Sequence, residues 1–184
     1  ESAWAVNASS ESQKNALKAV EVCSQNLPKF VNGKFVLDVS NKMLIAANLS
    51  GQAINISKTT SAHAWSYGFT SYFGIPHGHA VWLTLPKIFQ LHKEIAQSFG
   101  KKHLHQNIDD ICKALGMKYH DRPEQYLTEF CESIGINLDF KSIRGCSKKI
   151  LKRISEEVNV ERMSNNPILF DQKQINYIFE LESN

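Results

Sequence analysis

Apolar side chains recur at helical spacing along almost the whole chain. The pattern is clearest at residues 108–115 and 127–134, where they stand at positions i, i+3, i+4 and i+7. That spacing places them on one face of an α-helix, and no stretch of alternating apolar and polar residues indicates a sheet. A chain of 184 residues has room for one domain. We therefore predict an all-α fold, a single bundle of about seven helices over residues 1–184.

Capping residues mark the expected helix boundaries. The expected N-caps are, in chain order, Ser9 or Ser10, Asp38 or Ser40, Asp121, Ser147 and Asp171. We expect Pro28 to end the first helix before it, and Gly135 to end the helix that Asp121 begins. Residues 29–37 contain an Asn-Gly pair, which is typical of a hairpin turn, but an irregular loop is the favoured interpretation there.

The composition excludes several classes of protein. The 21 Lys and Arg nearly balance the 18 Asp and Glu, so a net charge of +3 predicts no nucleic-acid partner. Basic residues within 148–153 lie next to Glu156 and Glu157 and are expected to form a solvated face. The sequence contains no apolar run of about 18 residues, so we predict no membrane-spanning helix. The four cysteines form no Cys-x-x-Cys pair, so we expect reduced thiols in a cytoplasmic protein.

His63 and His77 are the candidate metal ligands. On one continuous helix, the 14 residues between them would hold them about 21 Å apart. The sequence Gly74-Ile75-Pro76 interrupts that helix, because proline disfavours helix at the residue before it. A helix ending near Phe73 and a new helix beginning at His77 would bring the two imidazoles together. The N-terminus of the second helix would also keep His77 neutral, with a lone pair free for a metal.

Spacing alone leaves two interpretations of these histidines open. Each is either a core histidine hydrogen-bonded to a carbonyl, or one of two ligands to a shared divalent metal. No Asp or Glu occurs between residues 39 and 93, so further ligands must come from far along the chain or from outside it. His79 points elsewhere on the helix than His77, and His92, His103 and His105 are expected at solvated helix ends.

The same stretch resembles the iron-containing (group III) alcohol dehydrogenases. The resemblance covers most of the chain and is strongest from residue 40 to residue 90. It rests on Ala62-His63-Ala64 followed by Tyr67, Gly74-Ile75-Pro76-His77-Gly78-His79-Ala80, Leu83-Thr84-Leu85-Pro86, the helix from Ser40 to Ala53, Asn166-Pro167 before the last helix, and the opening Glu1 to Ala8.

The resemblance implies a two-domain enzyme with the dehydroquinate synthase-like fold. In that family an N-terminal α/β domain binds NAD(P)H, the C-terminal domain is a helical bundle, and Fe²⁺, sometimes Zn²⁺, lies between them. Its two later histidine ligands correspond to His63 and His77, and its earlier Asp and His fall before Glu1. The chain starts with Glu rather than Met and has no Gly-x-Gly-x-x-Gly motif. We therefore expect a C-terminal half that lacks its N-terminal dinucleotide-binding domain and is inactive alone.

One position departs from the family pattern. Many members have a second histidine four residues after the first, where this chain has Tyr67. Lys58, Thr59, Tyr67 and the His77–Ala80 segment are most similar to the phosphonoacetaldehyde reductase branch. The resemblance makes Tyr67 and His79 the expected catalytic residues, in proton relay or substrate contact, and Lys58 and Thr59 the expected substrate-binding residues. For Lys58 a solvated lysine is the open alternative.

The expected partner is a small aldehyde or alcohol, with an anionic phosphonate as one option. A second class of function stays open, because no complete active constellation is present in the sequence. That alternative is a non-catalytic helical module that binds a metal or a partner protein. Whether the chain is part of an enzyme, and whether it forms a homodimer, is not decided by the sequence.

Overall fold

The computed structural model describes residues 1–33, 36–98, 100–118 and 121–181. Over these residues the protein is helical, without a strand, which confirms the predicted all-α class. The helices are α1 Ser10–Val31, α2 Leu37–Ser57, α3 Ser61–Phe73, α4 His77–Trp82, α5 Leu85–Ser98, α6 Lys102–Leu115, α7 Pro123–Ser133, α8 Lys148–Glu156, α9 Val160–Ser164 and α10 Gln172–Ile178, with a 3-10 helix at Phe140–Ser142. The described residues form ten α-helices rather than the expected seven or so, and α4, α9 and α10 are the shortest of them, with 6, 5 and 7 residues.

Helices α3 and α5 form the centre of the bundle. Helix α3 packs against α4, α5, α8 and α9, and α5 packs against α6, α7 and α10. Helices α1 and α2 pack extensively against each other, and α1 also contacts α6. Small buried residues, Ala16 on α1 and Ala46 and Ala53 on α2, let the first two helices approach closely. None of the helices in the described ranges is long and apolar enough to cross a bilayer.

Aromatic side chains dominate the core around α3. Phe69 is fully buried, and its ring is nearly parallel to those of Phe140 and Phe179, at centroid distances of 5.5 and 6.1 Å. Trp65, one turn earlier, packs edge-on against Phe179 at 5.1 Å. Burial of such large apolar surfaces is the main favourable term in folding. This cluster fixes the position of α3, which carries much of the candidate site.

Gly68 allows α8 to pack directly against α3. A Cβ atom at this position would lie 2.7 Å from Cγ2 of the buried Ile154. Because that distance is far below van der Waals contact, any larger residue would push α8 away from α3.

Several predicted helix boundaries are confirmed. Ser9 caps α1 in a capping box, and Asp171 forms a second capping box with Gln174 at the start of α10. Ser147 accepts a hydrogen bond from Ile150 N at 3.4 Å and caps α8. Gly135 follows the C-cap of α7 with φ of +78°, the left-handed conformation expected there.

Three boundary predictions are wrong. Pro28 lies inside α1, in its last turn, where the missing N–H removes only one hydrogen bond from a helix about to end. Helix α2 begins after Val36 without a side-chain cap, so neither Asp38 nor Ser40 is its N-cap. Arg122 precedes α7, because the Asp121 carboxylate instead accepts a hydrogen bond from Lys118 N at 2.6 Å. The predicted loop at 29–37 is shorter than expected, because residues 29–31 belong to α1 and residue 37 begins α2. Residues 34 and 35 of that loop lie outside the described residues.

The four cysteines are unpaired, as predicted. Burial raises the pKa of the Cys131 thiol to about 12, so it is protonated and behaves as a small apolar side chain.

His92 is a core residue, which corrects the expectation of a solvated helix end. It is fully buried on α5, edge-on to Trp4 at 4.8 Å and stacked on Phe170 at 5.8 Å. Asn166 Nδ2 lies 3.2 Å from His92 Nε2. Because an amide nitrogen can only donate, Nε2 accepts this hydrogen bond, and the proton of the neutral ring is on Nδ1. Nδ1 has no hydrogen-bond partner within the described residues. Burial, with nearby positive charge, lowers the pKa of His92 to about 3.

The buried neutral His92 makes the fold sensitive to acid. Between about pH 6.5 and pH 3 the His92 ring is protonated in the unfolded chain but neutral in the folded chain. The free energy of unfolding therefore decreases as the pH falls through this range. Between pH 7.5 and pH 4.5 we expect a loss of about 2–3 kcal/mol, measured by urea unfolding. His92→Leu removes the titrating ring, so its stability should fall much less over the same range. Equal losses in the two proteins would contradict this assignment.

Candidate metal and substrate site

The chain reverses direction between α3 and α4, as the Gly-Ile-Pro sequence predicts. Helix α3 ends at Phe73, and Gly74 adopts a left-handed conformation with φ of +66°. Its N–H donates to Thr70 O at 2.9 Å, which closes the last turn. Pro76 precedes α4, so His77 becomes the first residue of the new helix. The turn therefore carries His77 back towards α3.

The reversal brings His63 and His77 together. Their ring centroids are 5.1 Å apart and the rings are inclined by 66°. Two imidazoles that each place a nitrogen about 2.1 Å from one tetrahedral cation would have ring centres about 5 Å apart. The spacing of this pair therefore fits shared coordination of a single ion. Tyr67 stands beside the pair, with its ring centroid 5.8 Å from that of His77.

In both histidines the Nδ1 atom is the one that is hydrogen-bonded. His63 Nδ1 contacts the Glu1 carboxylate, and His77 Nδ1 lies 3.4 Å from Ser66 Oγ. A second partner at Nδ1 is what orients a metal-binding imidazole and fixes the tautomer with its lone pair on Nε2. Both Nε2 atoms are therefore available for a ligand.

Glu1 holds the start of α3 as well as His63. Its Oε1 atom accepts hydrogen bonds from Thr60 Oγ1 at 2.7 Å and from Ala62 N at 2.9 Å. Thr60, the N-cap residue, makes no side-chain capping bond of its own, so Glu1 supplies the missing acceptor. Burial alone would raise the pKa of Glu1. The hydrogen bond from His63, the positive charges of the N-terminal amino group and of His63, and the hydrogen bond from Thr60 together lower that pKa to about 2. Glu1 was not among the predicted site residues.

His77 is also favoured in its neutral form. Burial lowers its pKa below the ordinary value, and the neighbouring His63 and Arg162 add to the effect. A neutral imidazole is the form that binds a metal. The expectation from the helix N-terminus pointed in the same direction.

His79 turns away from the pair. Two residues after His77 on the same helix, its side chain projects about 200° around the axis. Its Nε2 atom donates to the carbonyl oxygen of Asn137 at 2.7 Å. His79 therefore contacts the segment after α7 and not the imidazole pair.

Thr59 and Lys58 lie between α2 and α3. Thr59 is buried, and its hydroxyl accepts a hydrogen bond from the Arg162 guanidinium. Lys58 is exposed and is the C-cap of α2, with its Nζ 3.2 Å from Asn55 O. Arg162 also lies over the Tyr67 ring, with its guanidinium carbon 5.2 Å from the ring centroid. Arg162 therefore contacts both Thr59 and Tyr67. It was not among the predicted site residues.

The residues present supply part of a metal site. No group of three or more His, Cys, Asp or Glu side chains within the described ranges could hold a metal ion. His63 and His77 nevertheless have the spacing and the free nitrogens that two ligands of a divalent cation need. They fit half of a ligand set, and the other ligands would have to come from outside these residues.

The chain is similar to a known family of enzymes and to one of its curated members. Residues 1–182 match the family model for the C-terminal part of the Fe-containing alcohol dehydrogenase family. Among curated proteins, the phosphonoacetaldehyde reductase of Streptomyces viridochromogenes is 28% identical over 123 residues, which are 63% of this chain and 31% of that protein.

Solved structures show the same fold. A 1,3-propanediol oxidoreductase superposes with a TM-score of 0.83 at 19% identity, over 98% of this chain and 47% of its own. The sulfoacetaldehyde reductase of Bifidobacterium kashiwanohense, solved in complex with NAD⁺, gives a TM-score of 0.81 at 23% identity, over 96% of this chain and 45% of its own. The chain thus spans less than half the length of each of these relatives.

Proposed function

We propose, from the premise that this chain belongs to the Fe-containing alcohol dehydrogenase family as its C-terminal domain, that it is the metal- and substrate-binding half of an NAD(P)H-dependent aldehyde reductase. The observation that carries the proposal is the His63–His77 pair, with ring centroids 5.1 Å apart and both Nε2 atoms free. In the net reaction an aldehyde, NAD(P)H and one proton would give an alcohol and NAD(P)⁺, with the aldehyde reduced and the nicotinamide oxidised.

In the proposed site His63 and His77 would hold Fe²⁺ or Zn²⁺. When bound, such an ion supplies Lewis acidity at a carbonyl oxygen. Glu1 keeps His63 in the tautomer with a free Nε2, and Ser66 is placed to do the same for His77. The chain's own contribution is therefore a pair of imidazoles oriented by hydrogen bonds at Nδ1 and set on the two helices that meet at Gly74.

Tyr67 is the proposed proton donor to the substrate oxygen. Its side chain is 46% exposed beside His77, so its hydroxyl group can reach a substrate bound at the pair. A role for His79 in proton relay remains a prediction, and its hydrogen bond to Asn137 would have to break for the ring to join the pair.

A groove next to His63 offers a route into the site. It has a volume of about 360 Å³ and lies between α1 and α2, where Ala16, Ala46 and Ala53 line its walls. Glu1 and His63 also line it. We propose that the dinucleotide-binding domain and the remaining metal ligands approach the imidazole pair from outside this chain, on the side where the groove opens.

The substrate proposed is a small aldehyde with an anionic group. The named activity of the Streptomyces relative concerns such an aldehyde. Lys58 lines a cavity together with Thr59, and Thr59 also lines the groove beside His63. A fixed positive charge near the reacting carbonyl would favour an anionic over a neutral aldehyde.

Turnover with and without a dinucleotide-binding domain tests the proposed function. The chain alone should not oxidise NAD(P)H in the presence of an aldehyde, whereas the chain joined to its own N-terminal segment should do so with Fe²⁺ or Zn²⁺ added. His77→Ala in the joined protein should lower kcat at least 1,000-fold, since the ion loses a ligand. Reductase activity of the isolated chain would contradict the proposal, and so would a joined, metal-loaded protein that reduces no aldehyde. The second result would favour the non-catalytic module.

A further inference from the structure

We propose that Arg162 is the residue that binds the anionic group of the substrate, and that this group is a phosphonate dianion. The inference rests on the proposed function and names its substrate class more closely. It concerns a cavity of about 460 Å³ between the C-terminus of α2 and helix α9. Lys58, Thr59 and Arg162 all line that cavity.

The guanidinium of Arg162 is held in place from two sides. One of its terminal N–H groups donates to the buried Thr59 hydroxyl, and its planar group lies over the Tyr67 ring at 5.2 Å. A guanidinium carries five N–H donors in a fixed fork. With one donor used by Thr59, the rest remain for a ligand. Thr59 is therefore a positioning residue for Arg162 rather than a direct substrate contact.

Arg162 has no carboxylate partner within 4.0 Å in the described parts of the chain. The contrast with Arg153 is informative, because Arg153 also lies over a tyrosine ring, that of Tyr72, at 5.6 Å. Arg153, however, donates to the Glu157 carboxylate at 2.6 Å. A partly buried arginine that is fixed but not neutralised is suited to an anion supplied from outside.

The rest of the cavity favours an anion with two charges. Lys58 brings a second cation, and the side chain of Asn159 adds an amide group. Glu161 also lines the cavity, but forms no ion pair with either Lys58 or Arg162. Two cations match the dianion of a phosphonate better than the single charge of a sulfonate.

Tyr67 lies next to both Arg162 and the imidazole pair. Its ring centroid is 5.2 Å from the Arg162 guanidinium carbon and 5.8 Å from the centroid of the His77 ring. A ligand whose anion is bound by Arg162 would therefore extend along Tyr67 towards His63 and His77.

Binding of 2-hydroxyethylphosphonate to the 184-residue chain tests the inference directly. We expect saturable binding, followed by the side-chain Nε–H resonance of Arg162 in NMR, with weaker binding of 2-hydroxyethanesulfonate and none of 1,2-ethanediol. Arg162→Gln should weaken phosphonate binding at least tenfold. Arg162→Lys, which keeps the charge but loses the fork, should give an intermediate loss and guards against a folding defect. Arg153→Gln is the matched control and should bind as the unmodified chain does.

Equal phosphonate affinity in Arg162→Gln and in the unmodified chain would overturn the inference, as would equally tight binding of 1,2-ethanediol. In the joined enzyme, Arg162→Gln should lower the ratio of kcat/KM for the phosphonate aldehyde over that for propanal at least tenfold, and Arg153→Gln should not. An enzyme that reduces neither aldehyde would refute the proposed function, and the binding experiment would then decide the inference alone.

Discussion

His63→Ala and His77→Ala are each expected to lower the affinity of the chain for Zn²⁺ by about 100-fold or more. The reason is that both rings lie 5.1 Å apart at one site, so removal of either leaves a single imidazole. Loss of an outer partner of a metal ligand typically costs 10–100-fold in affinity, and loss of the ligand itself should cost at least as much. Competition against a chelating dye measures the change.

Two further variants sharpen this result. Glu1→Gln should reduce Zn²⁺ affinity by about 10–100-fold, because the charged acceptor that orients His63 becomes a neutral amide. His103→Ala removes an exposed histidine on α6 and should bind Zn²⁺ as the unmodified chain does. If His103→Ala loses as much affinity as His63→Ala, the ion binds elsewhere and the assignment of the pair is wrong.

Phe69→Ala is expected to destabilise the fold by about 3–5 kcal/mol, the usual cost of removing a fully buried phenylalanine. The Phe69 ring packs against Phe140 and Phe179, so its removal leaves a cavity between α3, the 3-10 helix and the end of α10. Urea unfolding followed by far-ultraviolet circular dichroism gives the free energy of unfolding.

Phe73→Ala provides the matched control for this prediction. Phe73 lies one turn later on α3 and is only partly buried, so we expect a clearly smaller loss. A loss below about 1 kcal/mol for Phe69→Ala would show that the aromatic cluster does not hold α3 in place.

The features that the sequence predicted are local ones. Helical spacing predicted the helices, and Gly74 with Pro76 predicted the reversal that brings His63 and His77 together, because a turn depends on a few adjacent residues. His92 shows how a local pattern can be misread. It stands four residues after Ile88, on the same buried face of α5, so its spacing already indicated the core although its polarity suggested solvent.

Two site residues could not be predicted, because their contacts cross the whole fold. Glu1 and His63 are 62 residues apart, and Arg162 and Thr59 are 103 residues apart. No spacing rule connects positions so distant, since their meeting depends on how α2, α3 and α9 pack. The charges of these residues were visible in the sequence, but their partners were not.

We propose that His63 and His77 bind one ion through their Nε2 atoms. A Zn²⁺ titration of the ¹⁵N-labelled chain, followed through the imidazole nitrogen resonances, tests it most directly. We predict that the Nε2 signals of both histidines shift together and saturate at one equivalent of Zn²⁺, while both Nδ1 atoms stay protonated. A shift of one histidine alone, or separate saturation of the two at different Zn²⁺ concentrations, would contradict the account.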